Sequence, residues 1–513
     1  MKTFYTLVLL FLSFTVLAQN EISGTVLDEK NKPIAGANIY IDGTYDGATS
    51  DENGKFSFST TTTGNQTLVI SFVTYETLSI AIDVANYKNK TVKLRESVNS
   101  LDAVIVTAGT FDAGEKARIS VLKPLDIVTT AGAMGDIVSA LQTLPGTNTV
   151  GEDGRLFVRG GEADETQTFV DGIRVAQPYG ATTANVPTRG RFSPFLFSGM
   201  SFSTGGYSAE YGEALSSVLL LNTQDEMVEE KTDISLMTVG LGLANTQKWG
   251  KNSISFNTAY INLEPYQRLI PQNADWNKPF QSLSGEAVYR HDFENGLFKL
   301  YAAFDASQFD INQESINSTT KTRVDLNNNN FYLNASYKAN LSNHWQLLSG
   351  LSYGYGQNKI GLDVNDVENN EHSSHLKIRL KKSFSDRVKL TFGADYFITK
   401  FDESFNSNED FTFKSGYNAN IAATYAETDI FFSKKFAGKF GVRLSNNDLL
   451  EETVVSPRAS LAYKVSKSGQ FSLAYGSFTQ APRQDYLKYA DYLESEKADH
   501  YILNFLYNKN RKL

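Results

Sequence analysis

Histidine and carboxylate pairs come first, because the chain has five histidines and no cysteine. His291 and Glu294 stand in the His-x-x-Glu spacing used by zinc carboxypeptidases. A catalytic zinc needs three protein ligands in one cavity, and no third ligand follows downstream. His372 and His375 lie three apart beside a strand, so in extended geometry their rings point to opposite faces. Only a loop conformation would bring them onto one iron or haem. No nucleophile elbow or phosphate-binding loop occurs. The reading is therefore no catalytic residue, no metal site and no cofactor, with a zinc peptidase as a remote alternative. Acidic residues gather at Asp363, Asp366, Glu368 and Glu371, at Asp402, Glu403, Glu409 and Asp410, and at Asp448, Glu451 and Glu452. These read as solvated loop tips, the alternative being a site for a metal or cationic ligand.

The elements carrying these residues are strands. Phe331, Leu333, Ala335, Tyr337 and Ala339 share one face, against Asn334, Ser336, Lys338 and Asn340. Leu376, Ile378 and Leu380 oppose Lys377, Arg379 and Lys381. Strand side chains alternate with period two. Tight turns are expected at 250–252, 294–296, 342–344, 385–387, 437–439 and 467–469. Long polar loops are expected at 265–281, 308–327, 358–371, 400–415, 448–456 and 478–499. Short turns on one side and long loops on the other are the pattern of an outer-membrane barrel. A mean hydropathy of −0.30 excludes a helical membrane protein but suits a barrel with a polar lumen. The net charge of −9 argues against a nucleic-acid partner. Lys2, the apolar run Phe4 to Leu17 and the small-residue site before Gln19 form a secretory signal peptide.

Ahead of the barrel, residues 19–97 read as a β-sandwich of about seven short strands, with an Asn53-Gly54 hairpin turn. This segment resembles the carboxypeptidase regulatory-like domain, through Gly24-Thr25-Val26, Pro33-Ile34-Ala35-Gly36-Ala37, Thr49 to Gly54 and Phe56-Ser57-Phe58. That domain is not catalytic in its family. Residues 98–116 hold Leu101, Asp102, Val104, Ile105, Val106 and Thr107, a β-prone run on a polar tether that is either one more sandwich strand or a free strand for edge pairing. Residues 117–226 contain, in order, Pro145-Gly146, Arg159-Gly160-Gly161, Asp171-Gly172, Gly205-Gly206 and Tyr211-Gly212.

In that order, ahead of a barrel, these motifs resemble those of TonB-dependent outer-membrane receptors of the Bacteroidetes type. The resemblance implies a mainly β protein with a β-sandwich, an α+β plug domain at 117–226 and a transmembrane antiparallel barrel at 227–513. It places the TonB box at Leu101 to Thr107. Barrels of about 22 strands are plugged, and about 14 strands can be read here. The chain is therefore expected to be truncated, with an open, curved sheet. Arg159 is expected to pair with a barrel glutamate, or else to brace its own turn. The implied function is TonB-dependent uptake of a scarce ligand: a ferric siderophore, cobalamin, an oligosaccharide or a peptide. Implied partners are TonB and outer-membrane lipid, with a surface lipoprotein left open. A surface receptor or adhesin without transport is the alternative.

Overall fold

A computed structural model describes residues 20–94 and 119–507, apart from positions 29–30, 45, 73–74, 76–77, 134, 151–152, 182–188, 227–229, 271–273, 315–318, 343, 386, 408–410, 434, 467–468 and 491. The TonB-box residues Leu101 to Thr107 and the signal segment lie outside these. The chain divides into two compact units, residues 1–105 and 106–513.

The first unit is a sandwich of seven strands: β1 (Asn20–Asp28), β2 (Asn38–Ile41), β3 (Gly47–Thr49), β4 (Lys55–Thr60), β5 (Asn65–Ser71), β6 (Leu78–Asp83) and β7 (Lys90–Leu94). They form sheets β4-β1-β7 and β3-β2-β5-β6. Alternation sends Ile22, Val26, Ile39, Ile41, Leu68 and Ile70 into one shared core. Asp51 closes the β3–β4 turn, its Oδ1 accepting the N–H groups of Asn53 and Lys55 at 2.9 and 2.8 Å.

The second unit begins with the plug. Its strands are β8 (Ile119–Leu122), β9 (Thr147–Val150), β10 (Asp153–Val158), β11 (Thr166–Val170), β12 (Ile173–Val175), β13 (Phe197–Ser203) and β14 (Ser217–Thr223). Five make the sheet β12-β11-β14-β13-β8. Helices α1 (Pro124–Thr129) and α2 (Ile137–Leu141) lie beside it. Asp136 caps α2, its Oδ1 accepting the Ser139 N–H at 2.7 Å.

Fourteen further strands form one antiparallel sheet in chain order, with β15 and β28 as its edges. They are β15 (Lys231–Met237), β16 (Gly240–Trp249), β17 (Asn252–Asn262), β18 (Asp275–Phe293), β19 (Gly296–Gln313), β20 (Thr322–Leu341), β21 (Trp345–Leu362), β22 (Asn365–Ser385), β23 (Val388–Asn406), β24 (Thr412–Phe431), β25 (Phe436–Asn447), β26 (Glu452–Lys464), β27 (Gly469–Gln480) and β28 (Glu496–Tyr507). The sides are sorted as the alternation requires. Leu376 and Ile378 are 57% and 47% exposed, whereas Lys377 and Arg379 are 1% and 6% exposed. A water-soluble sandwich would have the reverse, so the outward face is built for lipid.

Two expectations need correction. β24 ends at Phe431 and β25 starts at Phe436, so residues 437–439 are already strand. Four of the six long outer loops, 308–327, 358–371, 400–415 and 448–456, are more than half strand as well. From β18 to β24 each strand runs 18 to 21 residues, about twice the 9–11 that cross a bilayer. Outside lipid both faces of a strand can be polar, so the apolar alternation stops while backbone pairing continues. Asn358 Nδ2 donates to Asn369 Oδ1 at 2.9 Å, and Gln357 Nε2 to Glu368 Oε1 at 2.9 Å. The β21–β22 hairpin closes in two residues, with Asp363 at φ 54°. A short α3 (Glu264–Leu269) follows β17, and α4 (Gln484–Leu487) lies between β27 and β28.

Candidate functional site: plug, wall and outer mouth

The plug turn from Tyr207 to Glu213 lies against a cluster of inward-facing charges. Glu210 receives Arg379 Nη1 at 3.0 and 2.9 Å, and Lys377 Nζ lies 3.3 Å from it. Asp395 on β23 receives Arg443 Nη1 at 2.8 Å and faces Lys377 Nζ at 3.3 Å. Arg443 also donates to the carbonyls of Ala209 and Glu210, and Arg458 to those of Tyr207, Ser208 and Tyr211. Wall arginines thus satisfy the carbonyls of a turn that has no ladder of its own. A Cβ at Gly212 would meet the Arg443 guanidinium, which would have to shift. The next residue, Glu213, accepts the Ala481 N–H at 3.0 Å, and burial pushes its carboxyl pKa up.

A second tie joins the β11–β12 turn to the wall. Asp171 and Gly172 both have positive φ, 51° and 85°, as a two-residue type I′ turn requires. Asp171 accepts Lys299 Nζ at 2.6 Å, Thr223 N–H at 3.1 Å and Thr223 Oγ1–H at 2.7 Å. Lys299, on β19, also pairs with Asp225 at 2.7 Å. His375 makes a third tie. Its Nδ1 accepts the Arg174 N–H at 2.9 Å, so Nε2 carries the proton and donates to Asp395 Oδ1 at 3.1 Å.

Above the plug, two rows of residues run across the inner wall. Register aligns Asp305, Asn330, Gly356, Glu371, Phe401 and Tyr417 on β19 to β24. The next row outward is Ser307, Asn328, Asn358, Asn369 and Glu403. Neither contains lysine or arginine. Plug residue Gln177 fills the space left by Gly356 and donates to Glu371 Oε2 at 2.9 Å. The same oxygen accepts Gln484 Nε2 at 2.6 Å. Lys488 Nζ lies 2.9 Å from Glu403 Oε1 and 3.1 Å from Oε2. Residues 481–490 therefore leave β27 and reach across to β22 and β23. Glu371 and Glu403 are not solvated loop tips, because strand parity turns them inward.

Comparison with known proteins gives this architecture its family. Residues 22–106 match the CarboxypepD_reg-like domain, 113–218 the TonB-dependent receptor plug domain, and 266–512 the TonB-dependent receptor-like β-barrel. The chain belongs to the TonB-dependent receptor family. TonB-dependent receptor P39 of Formosa agariphila is 27% identical over 281 residues, which are 48% of this chain and 25% of that protein. A mutant ferric enterobactin receptor of Pseudomonas aeruginosa shares the fold at TM-score 0.59 and 13% identity, over 78% of this chain and 71% of that one. The outer membrane transporter YddB of Escherichia coli does so at TM-score 0.54 and 12% identity, over 72% and 62%. The chain is an outer-membrane protein. Its family is one of receptors and transporters, not an enzyme class.

Within this TonB-dependent receptor the sequence motifs gather as follows. The Arg159 N–H donates to Gly146 O at 2.9 Å, which joins the Pro145-Gly146 and Arg159-Gly160-Gly161 turns. Arg159 itself has φ 53°, and its Nη2 donates to Thr204 Oγ1 at 3.2 Å. It braces plug turns, and no ion pair to a barrel glutamate is found for it among the described residues. The plug–wall ion pairs run with the opposite sign: the carboxylates are Glu210 and Asp171 in the plug, the cations Arg379, Lys377 and Lys299 in the wall. The Gly206 N–H donates to His500 Nδ1 at 3.4 Å on β28, and Tyr211 packs on Phe169 with ring centroids 4.9 Å apart. His291 Nδ1 donates to Asn252 Oδ1 at 2.7 Å, and His372 meets the Tyr353 hydroxyl at 2.8 Å. His372 and His375 thus lie on opposite faces of β22. The wall charges Lys299, Asp395, Arg443 and Arg458 were missed. Their only sequence signal is a charged residue on the polar parity of an otherwise apolar strand.

Proposed function

We propose that the chain takes part in TonB-dependent uptake of a ligand across the outer membrane. The observation that carries this reading is the anchoring of the plug by the buried Glu210–Arg379 and Asp171–Lys299 ion pairs. Removing one partner of a buried pair costs about 3–5 kcal/mol, so thermal motion alone seldom frees a plug held at several such points. The outer membrane has no nucleotide supply, and the energy must arrive as a pull from the periplasm. Leu101 to Thr107, on the tether ahead of the plug, is the segment proposed to carry that pull by adding a strand to TonB. The ligand is one too scarce or too large for porins: a ferric siderophore, cobalamin, an oligosaccharide or a peptide.

The test is Ile105→Pro, which removes a backbone donor and fixes φ. Binding of the periplasmic domain of TonB to the purified chain should fall at least tenfold, while its far-UV circular dichroism is unchanged. Unchanged TonB binding by that variant would remove the segment from this role. Uptake that continues in a TonB-deleted strain would favour a receptor without active transport.

A further inference from the structure

We propose that residues 481–490, which follow β27, occupy the ligand site of the mouth as an internal stand-in, and that the ligand is a basic peptide. The inference rests on the uptake reading only for its biological use. Its first support is how this stretch is held. The backbone bonds of α4 are internal, Leu487 N–H to Arg483 O at 3.1 Å and Lys488 N–H to Gln484 O at 3.1 Å. The groups that reach Glu371 and Glu403 are the side-chain ends of Gln484 and Lys488. Leu487 is the buried apolar anchor, while Tyr486, Tyr489 and Tyr492 stay exposed. Backbone N–H bonds tie the chain on either side, Ala481 N–H to Glu213 at 3.0 Å and Ser495 N–H to Glu452 at 2.8 Å, so the grip that other groups can replace is the one that Gln484 and Lys488 make on Glu371 and Glu403.

The second support is the chemistry of that grip. An amide N–H and an ammonium are delivered, and two carboxylates receive them. An anion entering here would meet Glu371 and Glu403 with no lysine or arginine in either wall row. A neutral polyol would serve Glu371 but leave Glu403 without the ammonium it loses when Lys488 departs. A basic peptide replaces both donors, a backbone N–H at Glu371 for the Gln484 amide and a side-chain ammonium at Glu403 for Lys488. Charge at the mouth thus selects the ligand by repulsion as well as by attraction.

The chain has no cysteine, so Tyr492→Cys accepts a single environment-sensitive dye at an exposed position, Tyr492 being 84% exposed. The full chain in detergent micelles is titrated with pentalysine, maltopentaose and citrate. Pentalysine should give a saturable dye response, and maltopentaose and citrate none at equal concentration. Lys488→Ala removes the internal competitor and should tighten the pentalysine response by roughly tenfold. Glu371→Gln combined with Glu403→Gln should weaken it at least tenfold. Displacement by maltopentaose or citrate, or unchanged affinity in both the Lys488 and the double variant, overturns the proposal. The titration involves no TonB, so its outcome is independent of the Ile105→Pro result.

Discussion

Glu210 is a plug carboxylate between two wall cations, Arg379 at 2.9 Å and Lys377 at 3.3 Å. Its removal leaves both buried with one fewer counter-charge, which is worse than never having had the pair. Glu210→Ala should therefore destabilise the folded chain by about 3–5 kcal/mol, read from the urea midpoint of the heat-modifiable form. Arg379→Met made on top of it should cost less than the sum of the two single changes. Strict additivity would mean that the two side chains are not coupled. The motif Ala209-Glu210-Tyr211-Gly212 was visible in the sequence, yet its tyrosine and glycine drew attention and its glutamate did not. The reason is physical. An ion pair across 169 residues of chain leaves no local trace, whereas a glycine in a turn does.

At the scale of elements, the strands were legible wherever one face met lipid. Phe331, Leu351 and Leu376 face outward as the alternation requires. Above the membrane that signal disappears, and polar hairpins look like loops. The tip of β21–β22 tests whether these hairpins are firm. Asp363 sits at φ 54°, and its Oδ1 accepts the Arg323 N–H at 2.7 Å. Asp363→Val should cost about 1–2 kcal/mol from left-handed strain alone, and limited proteolysis should then cut the hairpin faster. Asp363→Gly loses the side-chain bond but not the conformation, and should be milder. Equal effects of the two would show that strain at this tip is unimportant.

For the whole molecule, the decisive property is a sheet with a polar inside and an apolar outside. Register sets Ala335, Leu351, Leu376, Tyr396 and Ala422 side by side across five strands. Leu376→Arg should weaken insertion and folding in bilayers by about 2–4 kcal/mol, measured by folding into lipid vesicles. The same substitution one residue on, Lys377→Arg, keeps a cation on the inner face and should be far milder. Similar losses for both would contradict the assigned faces.

The sequence by itself determined the order of domains, the strand count of the barrel sheet and the face each strand turns to lipid. These depend on local periodicity, on turn residues and on motif order, all properties of short stretches of chain. Only the tertiary structure decided which plug residues meet the wall and with what sign. It also moved Glu371 and Glu403 from presumed loop tips to the inner wall, and it brought Gln484 and Lys488 onto them from more than 80 residues away. Those contacts depend on how far polar strands continue beyond the bilayer and on where a long connection folds back. Both are fixed by backbone pairing and buried charge across the sheet, which no local window of sequence records.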